Sequence, residues 1–276
     1  MHFVFFVVKK ELNHKGTQRN PDSYRDTKST KERSLDMCNR NLETCFSPAL
    51  YEAGLHVGSI VVIIDILRAT SAICTAFANG ASSIIPVESV EEAKEYKNRG
   101  YLVAAERDGY VLDFADFGNS PFNFTRERVE GKTIVYSTTN GTTIIKMASS
   151  AGKIVTGSFL NISALTEWII SQESDVVLFC AGWKNRFNLE DTICAGAVAE
   201  KLMSTSLYST ICDSTHAAMD LWALAKSDLR GYIEKAAQRS RLRDKGLDDC
   251  IEFCLTADFT KKIPVIKNGI LVDNIL

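Results

Sequence analysis

Asp65 and Arg68 stand three residues apart, directly after the apolar run Ile60–Ile64. A carboxylate at such a place can hold a metal ion or act as a nucleophile, and a guanidinium beside it can grip a phosphate through two parallel hydrogen bonds. An aspartate that merely caps a helix and pairs with its neighbour would leave the same trace. A second polar loop, Ser137-Thr138-Thr139-Asn140-Gly141-Thr142-Thr143, follows the run at 133–136 and packs five hydroxyls, one amide and one glycine into seven residues. Capping needs fewer hydroxyls than that. Such a loop can offer backbone N–H groups and hydroxyls to phosphate oxygens without adding charge. A third run, 176–179, leads through Cys180-Ala181-Gly182 to Glu190-Asp191-Thr192, where a carboxylate at a helix start can either face a metal shared with Asp65 or simply cap.

Each loop follows a strand-like run and precedes a helix-like one. In open α/β sheets, ligands bind at the carboxyl ends of strands, where helix N-termini favour anions. The chemistry expected is therefore that of a phosphorylated substrate with a divalent cation. If the strands at 60–64 and 133–136 run parallel, their loops open at one edge and grip one phosphate from two sides. Other phosphate chemistries fit less well. Leu67 occupies the place where haloacid-dehalogenase phosphatases carry a second acid, and no lysine-bearing Walker loop is present. Cys180 and Arg186 have the Cys-x5-Arg spacing of cysteine-dependent phosphatases. Phe187 follows where a hydroxyl should assist, and the helix begins too late, so the spacing reads as coincidence.

The elements that must position these loops alternate along the chain. Strands are expected at 42–50 (an edge strand closed by Pro48), 59–64, 83–87, 101–105, 133–136, 153–157 and 175–179. Helices are expected at 70–79, from the Ser89 capping box to 98, at 141–150, from 161, and at 191–203. Residues 213–255 read as helical, and a hairpin turned by Asn268-Gly269 follows. The stretch 109–131 is a long connection of the kind that usually serves function. The fold class expected is α/β: a three-layer α/β/α arrangement on a mixed, mostly parallel sheet. A weak strand-loop-helix repeat links 60–87 with 133–157 and suggests two intertwined halves within a single domain at 37–276. Residues 1–36 are polar and aperiodic and read as a disordered extension, with translation starting at Met1 or Met37.

Composition narrows the class. In 276 residues, 45% are hydrophobic and 24% charged, as in an ordinary globular protein. A net charge of -2 argues against a nucleic-acid partner, and no apolar run is long enough to span a membrane. The eight cysteines form no CxxC pair and read as reduced thiols in a cytoplasmic protein.

Taken in order, Asp65-Ile66-Leu67-Arg68-Ala69-Thr70-Ser71, Glu106-Arg107, Asp116-Phe117-Gly118-Asn119-Ser120-Pro121, Ser137-Thr138-Thr139-Asn140-Gly141-Thr142 and Leu189-Glu190-Asp191-Thr192 resemble the motifs of the 2-phosphosulfolactate phosphatase family of coenzyme M biosynthesis. The resemblance covers about residues 42–274. It implies a magnesium-dependent phosphoric monoester hydrolase that removes phosphate from the 2-hydroxyl of a sulfonated lactate, a small anionic organophosphate. On that footing Asp65 and Arg68 are the catalytic candidates. Asp65, Glu106, Glu190 and Asp191 are the candidate Mg²⁺ ligands. Arg68, Thr70, Arg107, Asn119, Thr138, Thr139, Asn140, Gly141 and Thr142 are the candidate substrate contacts. Asn185 departs from a family glycine and Asn188 from a family serine. A homodimer is compatible with the reading. The alternatives are a non-catalytic binder of a phosphorylated metabolite and a cysteine phosphatase using Cys180.

Overall fold

The computed structural model describes residues 40–138 and 141–274, the side chains at 53, 141 and 142 excepted. The extension expected over 1–36 lies outside them. In chain order the strands are β1 (Arg40–Cys45), β2 (Ile60–Ile64), β3 (Ser83–Pro86), β4 (Leu102–Arg107), β5 (Tyr110–Val111), β6 (Thr133–Ser137), β7 (Lys153–Gly157), β8 (Val176–Cys180), β9 (Tyr208–Ser209), β10 (Pro264–Lys267) and β11 (Ile270–Asp273). The helices are α1 (Ala69–Ala78), α2 (Val90–Asn98), α3 (Arg126–Val129), α4 (Gly141–Met147), α5 (Ile162–Ser171), α6 (Leu189–Met203), α7 (Asp213–Ala225), α8 (Leu229–Ile233), α9 (Ala237–Asp244) and α10 (Ile251–Cys254). The strand expected over 42–50 stops at Cys45, and Pro48–Leu50 form a 3-10 turn instead.

All eleven strands share one sheet, in the order β5-β4-β6-β3-β11-β10-β7-β2-β8-β1-β9. One half, β7-β2-β8-β1-β9, is parallel throughout, and so is β4-β6-β3 in the other. Side chains alternate across the sheet as the two-residue period of a strand requires. Val62 and Ile64 face α5 and α6, while Val61 and Ile63 face α4. Ile134 and Tyr136 face α1, while Val135 faces α2. Helices thus cover both faces, and the three-layer expectation holds.

The two halves run in opposite directions. The hairpin β10–β11 lies between them, antiparallel to β7 on one side and to β3 on the other. Strands β2 and β6 are therefore antiparallel in sense, which corrects the expectation that their loops open at one edge of a parallel sheet. Those loops nevertheless line one cavity. Twist accounts for this. Five steps separate β2 from β6 in the strand order. At roughly 20–25° per step the strand direction rotates by about 100–125°, which turns opposed carboxyl ends towards each other. The hairpin meets each half through one residue pair, Val265 with Val155 and Leu271 with Ile84, so it constrains that rotation little.

Helix α1 fixes the result. It leaves the end of β2 in one half and packs Ala69, Ala72, Ile73, Ala76 and Phe77 against Ile84, Ile134 and Tyr136 of the other. Every residue from Ala69 to Phe77 is buried, so the helix has no solvent face. Its small side chains permit that close fit. Asn79 caps it, and Gly80 turns the chain at φ 89°.

Candidate active site

Asp65 is the first residue beyond β2. Its backbone N–H donates to Thr70 Oγ1 at 3.2 Å, and its carbonyl accepts from Thr70 N at 2.8 Å. Ser71 Oγ donates to Ile66 O at 2.9 Å. Thr70 and Ser71 thus tie down the loop that carries Asp65, and Thr70 itself is buried away from the cavity wall. The same loop is fixed from below by Asp191, whose Oδ1 accepts from Ile66 N at 2.9 Å.

The cavity has a volume of about 70 Å³, room for several waters or for the head of a small organophosphate. Asp65, Arg68, Glu106, Asn119 and Thr138 line it, so residues from four separate loops of the sequence meet there. Arg68 is buried, with Nη2 donating to Asn119 Oδ1 at 2.8 Å and Nη1 to Leu247 O at 3.3 Å. Glu106 accepts from Gly109 N through Oε2 at 2.6 Å. Behind Arg68, Cys250 and Cys254 are fully buried. A hydrogen bond from Cys254 first, and then Arg68, hold the Cys250 thiol down at about 7.

Other expected residues stand elsewhere. Arg107 is off the cavity wall. It donates to Glu106 O at 2.7 Å, Glu88 O at 3.0 Å and Ser137 Oγ at 2.9 Å, and so clamps the ends of β4 and β6 together. Glu190 and Asp191 are fully buried behind the wall, bridged by Asn188, whose Nδ2 donates to Glu190 Oε1 at 3.0 Å and Asp191 Oδ2 at 2.7 Å. Thr139 and Asn140 lie outside the described residues. Gly141 and Thr142 open α4. Asn188, the departure from the family's serine, thus holds both acids. Asn185, the departure from its glycine, sits at φ 61° in the turn closed by Trp183 and Arg186, a conformation asparagine tolerates better than most residues.

The carboxylates act on one another. Burial first, and then the charge of Glu106, push Asp65 up to about 7, against the Ala69 amide and Arg68. Burial, Asp65 and Glu190 push Asp191 well above the ordinary range, and burial also raises Glu190, whose Oε2 has no hydrogen-bond partner among the described residues. A cluster so arranged favours a proton or a cation. Among the described residues no three such side chains stand close enough to share one ion. A magnesium site usually takes only one or two protein carboxylates and fills the rest of its shell with water and phosphate oxygens. Asp65 and Glu106, both on the wall, meet that requirement. Cys180 is fully buried, and burial and Asp191 raise its thiol well above the ordinary value, the reverse of an activated thiolate. Arg186, its expected partner, is exposed.

The sequence reading missed one wall altogether. Gln238, Arg241 and Lys245 reach the cavity from α9 and just beyond it, and Trp183 from the third loop. Gln238 Nε2 donates to Leu67 O at 3.0 Å, which fastens α9 to the Arg68 loop. The spacing 238, 241, 245 puts the three on one helical face, and that was the available signal.

A sequence profile described as 2-phosphosulpholactate phosphatase matches residues 45–269. A Thermotoga maritima protein named probable 2-phosphosulfolactate phosphatase is 41% identical over 211 residues, covering 76% of this chain and 90% of its own. Proteins of the same name from Caldanaerobacter subterraneus subsp. tengcongensis and Clostridium acetobutylicum are 39% identical over 215 residues and 36% over 212, covering 76% and 75% of this chain and 89% of each.

Proposed function

Since the chain belongs to the 2-phosphosulfolactate phosphatase family, we propose that it is a phosphoric monoester hydrolase that converts 2-phosphosulfolactate to sulfolactate and phosphate with the help of Mg²⁺. The observation that carries this reading is the cavity itself, where Asp65 and Glu106 share a wall with Arg68, Asn119 and Thr138. Carboxylates alone would repel a phosphate, and Arg68 alone would bind it without chemistry.

Asp65 and Glu106 would hold the magnesium ion. When bound, it would neutralise charge on the phosphoryl oxygens and relieve the repulsion between the two carboxylates. Arg68 orients the phosphoryl group. Two of its N–H groups are fixed by Asn119 and Leu247, which aims the rest of the fork into the cavity. The interaction strengthens as negative charge builds in the transition state. Thr138, buried on the same wall, offers its hydroxyl to a second phosphoryl oxygen. Asp65, held in place by the Ala69 amide, takes the proton of the attacking water at a carboxylate oxygen. As it does so the P–O bond to the substrate's 2-oxygen breaks, and the departing alkoxide takes up a proton to leave as the free alcohol. Asp191 keeps the loop rigid through Ile66.

Phosphate release from 2-phosphosulfolactate, measured with and without EDTA, tests the reading. Release that EDTA abolishes and Mg²⁺ restores supports it. Binding of the substrate without release makes the protein a non-catalytic receptor. Release untouched by EDTA removes the ion.

A further inference from the structure

Of the basic side chains around the cavity, Arg241 has the least engaged terminal amino groups. Its Nε donates to Gln238 Oε1 at 2.7 Å, and its guanidinium carbon lies 4.3 Å from the centre of the Trp183 ring. Stacking on an aromatic face fixes the plane of the fork without engaging its terminal amino groups. Neither Nη group hydrogen-bonds to any described residue, and Arg241 forms no salt bridge among them. The neighbouring cations are engaged: Arg68 by Asn119 and Leu247, and Lys245 by the carbonyl of Asp108. Half-buried on the cavity wall, Arg241 presents two terminal amino groups that bond no described residue. Gln238 ties this fork to Leu67, next to Arg68, so the spacing between the two guanidinium-bearing walls is built into the fold.

We propose that Arg241, stacked on Trp183 and anchored through Gln238, binds the anionic group of the substrate that is not transferred, its sulfonate or carboxylate. Two planar forks lining one cavity then select a small organophosphate with a second negative end, and an ester lacking that end binds through Arg68 alone. Burial lowers the Arg241 guanidinium from its ordinary value, with Glu190 opposing, so a bound anion would also relieve the cost of holding the charge there. The inference rests on the phosphatase reading for its choice of substrate, but binding can be tested without turnover.

The full-length protein is assayed with 2-phosphosulfolactate, with 2-phospholactate, which lacks the sulfonate, and with 4-nitrophenyl phosphate, which lacks both extra anions. Arg241→Gln keeps a planar amide over Trp183 and removes the charge. It should raise KM for 2-phosphosulfolactate by about 10- to 100-fold with kcat within about threefold, and change kcat/KM for 4-nitrophenyl phosphate by less than about threefold. Arg241→Lys should recover only part of the loss. A penalty that vanishes with 2-phospholactate assigns the fork to the sulfonate, and one that persists assigns it to the carboxylate. An equal loss on 4-nitrophenyl phosphate, or no loss on any substrate, overturns the proposal. Calorimetric binding of sulfolactate gives a readout independent of catalysis. Wild type should bind it and Arg241→Gln should bind at least about tenfold more weakly; equal binding by both proteins, or none by wild type, also overturns it. If wild type releases no phosphate from any ester, the phosphatase reading fails, and calorimetry alone decides for or against the fork.

Discussion

At the scale of single residues, Asp65 concentrates the conflict in the site. Its carboxyl is raised from 3.8 to about 7 because protein surrounds it and Glu106 stands beside it. The unfolded chain releases this proton at lower pH than the folded one. Without a divalent cation, the Asp65 contribution to stability should therefore be fully present below about pH 4 and lost as pH rises from about 4 to 7. Glu190 and Asp191, raised in the same direction, deepen the slope. Thermal melts in EDTA should show a drop on the order of 5 °C between pH 5 and pH 7.5. Asp65→Asn should make the drop shallower while abolishing turnover, because it removes the charge and keeps the shape. A variant with wild-type turnover in saturating Mg²⁺ would take Asp65 out of the mechanism. Arg68 is checked through the product. Inorganic phosphate should inhibit wild type competitively and Arg68→Ala about tenfold less, with Arg68→Lys between them. Equal inhibition of wild type and Arg68→Ala would make Arg68 a structural residue.

At the scale of elements, close approach of backbones does most of the positioning. Helices α6 and α7 touch at Gly196, where an added Cβ would lie 2.0 Å from Ala218 O and 3.0 Å from Trp222 Cβ. Gly196→Ala should therefore push α7 outward and cost about 1–3 kcal/mol, read as a lower Tm with kcat unchanged at temperatures where the fold persists. An unchanged Tm would mean that α7 shifts freely. The strand-loop-helix units were legible because an apolar run ending in Asp, Ser or Thr is a local signal. The Ser89 cap, the Asn79-Gly80 stop and the Asn268-Gly269 turn were legible for the same reason. Strand direction was not. The opposed sense of β2 and β6 is set by a hairpin more than 120 residues downstream of both, and no residue near either strand records it. Arg107 also read as a substrate contact, since a strand end offers the same sequence whether the guanidinium faces a ligand or, as here, the carbonyls of Glu106, Glu88 and Ser137. Arg241 was overlooked because α9, with four charged residues in eight, looks like a solvated surface helix.

At the scale of the whole molecule, the described strands begin at Arg40 and the family match at residue 45. A chain beginning at Met37 should melt within about 2 °C of the full chain and turn over at the same rate; a larger loss of either would show that the preceding residues serve the enzyme. The repeat units exchange halves: β2 lies in one half and β3 in the other, while β6 and β7 make the return crossing. Neither half can then be completed from a continuous stretch of chain. The hairpin that sits between them follows every other described strand, so during synthesis it leaves the ribosome after all of them. Until then a nascent chain holds Asp65, Arg68 and Glu106 but not the strands that join the two halves into one sheet. Catalytic competence should thus arrive only once that hairpin has paired with both halves. Long-range pairing of this kind folds slowly, and an arrested chain, exposing the apolar edges of β3 and β7, would be a natural client for chaperones.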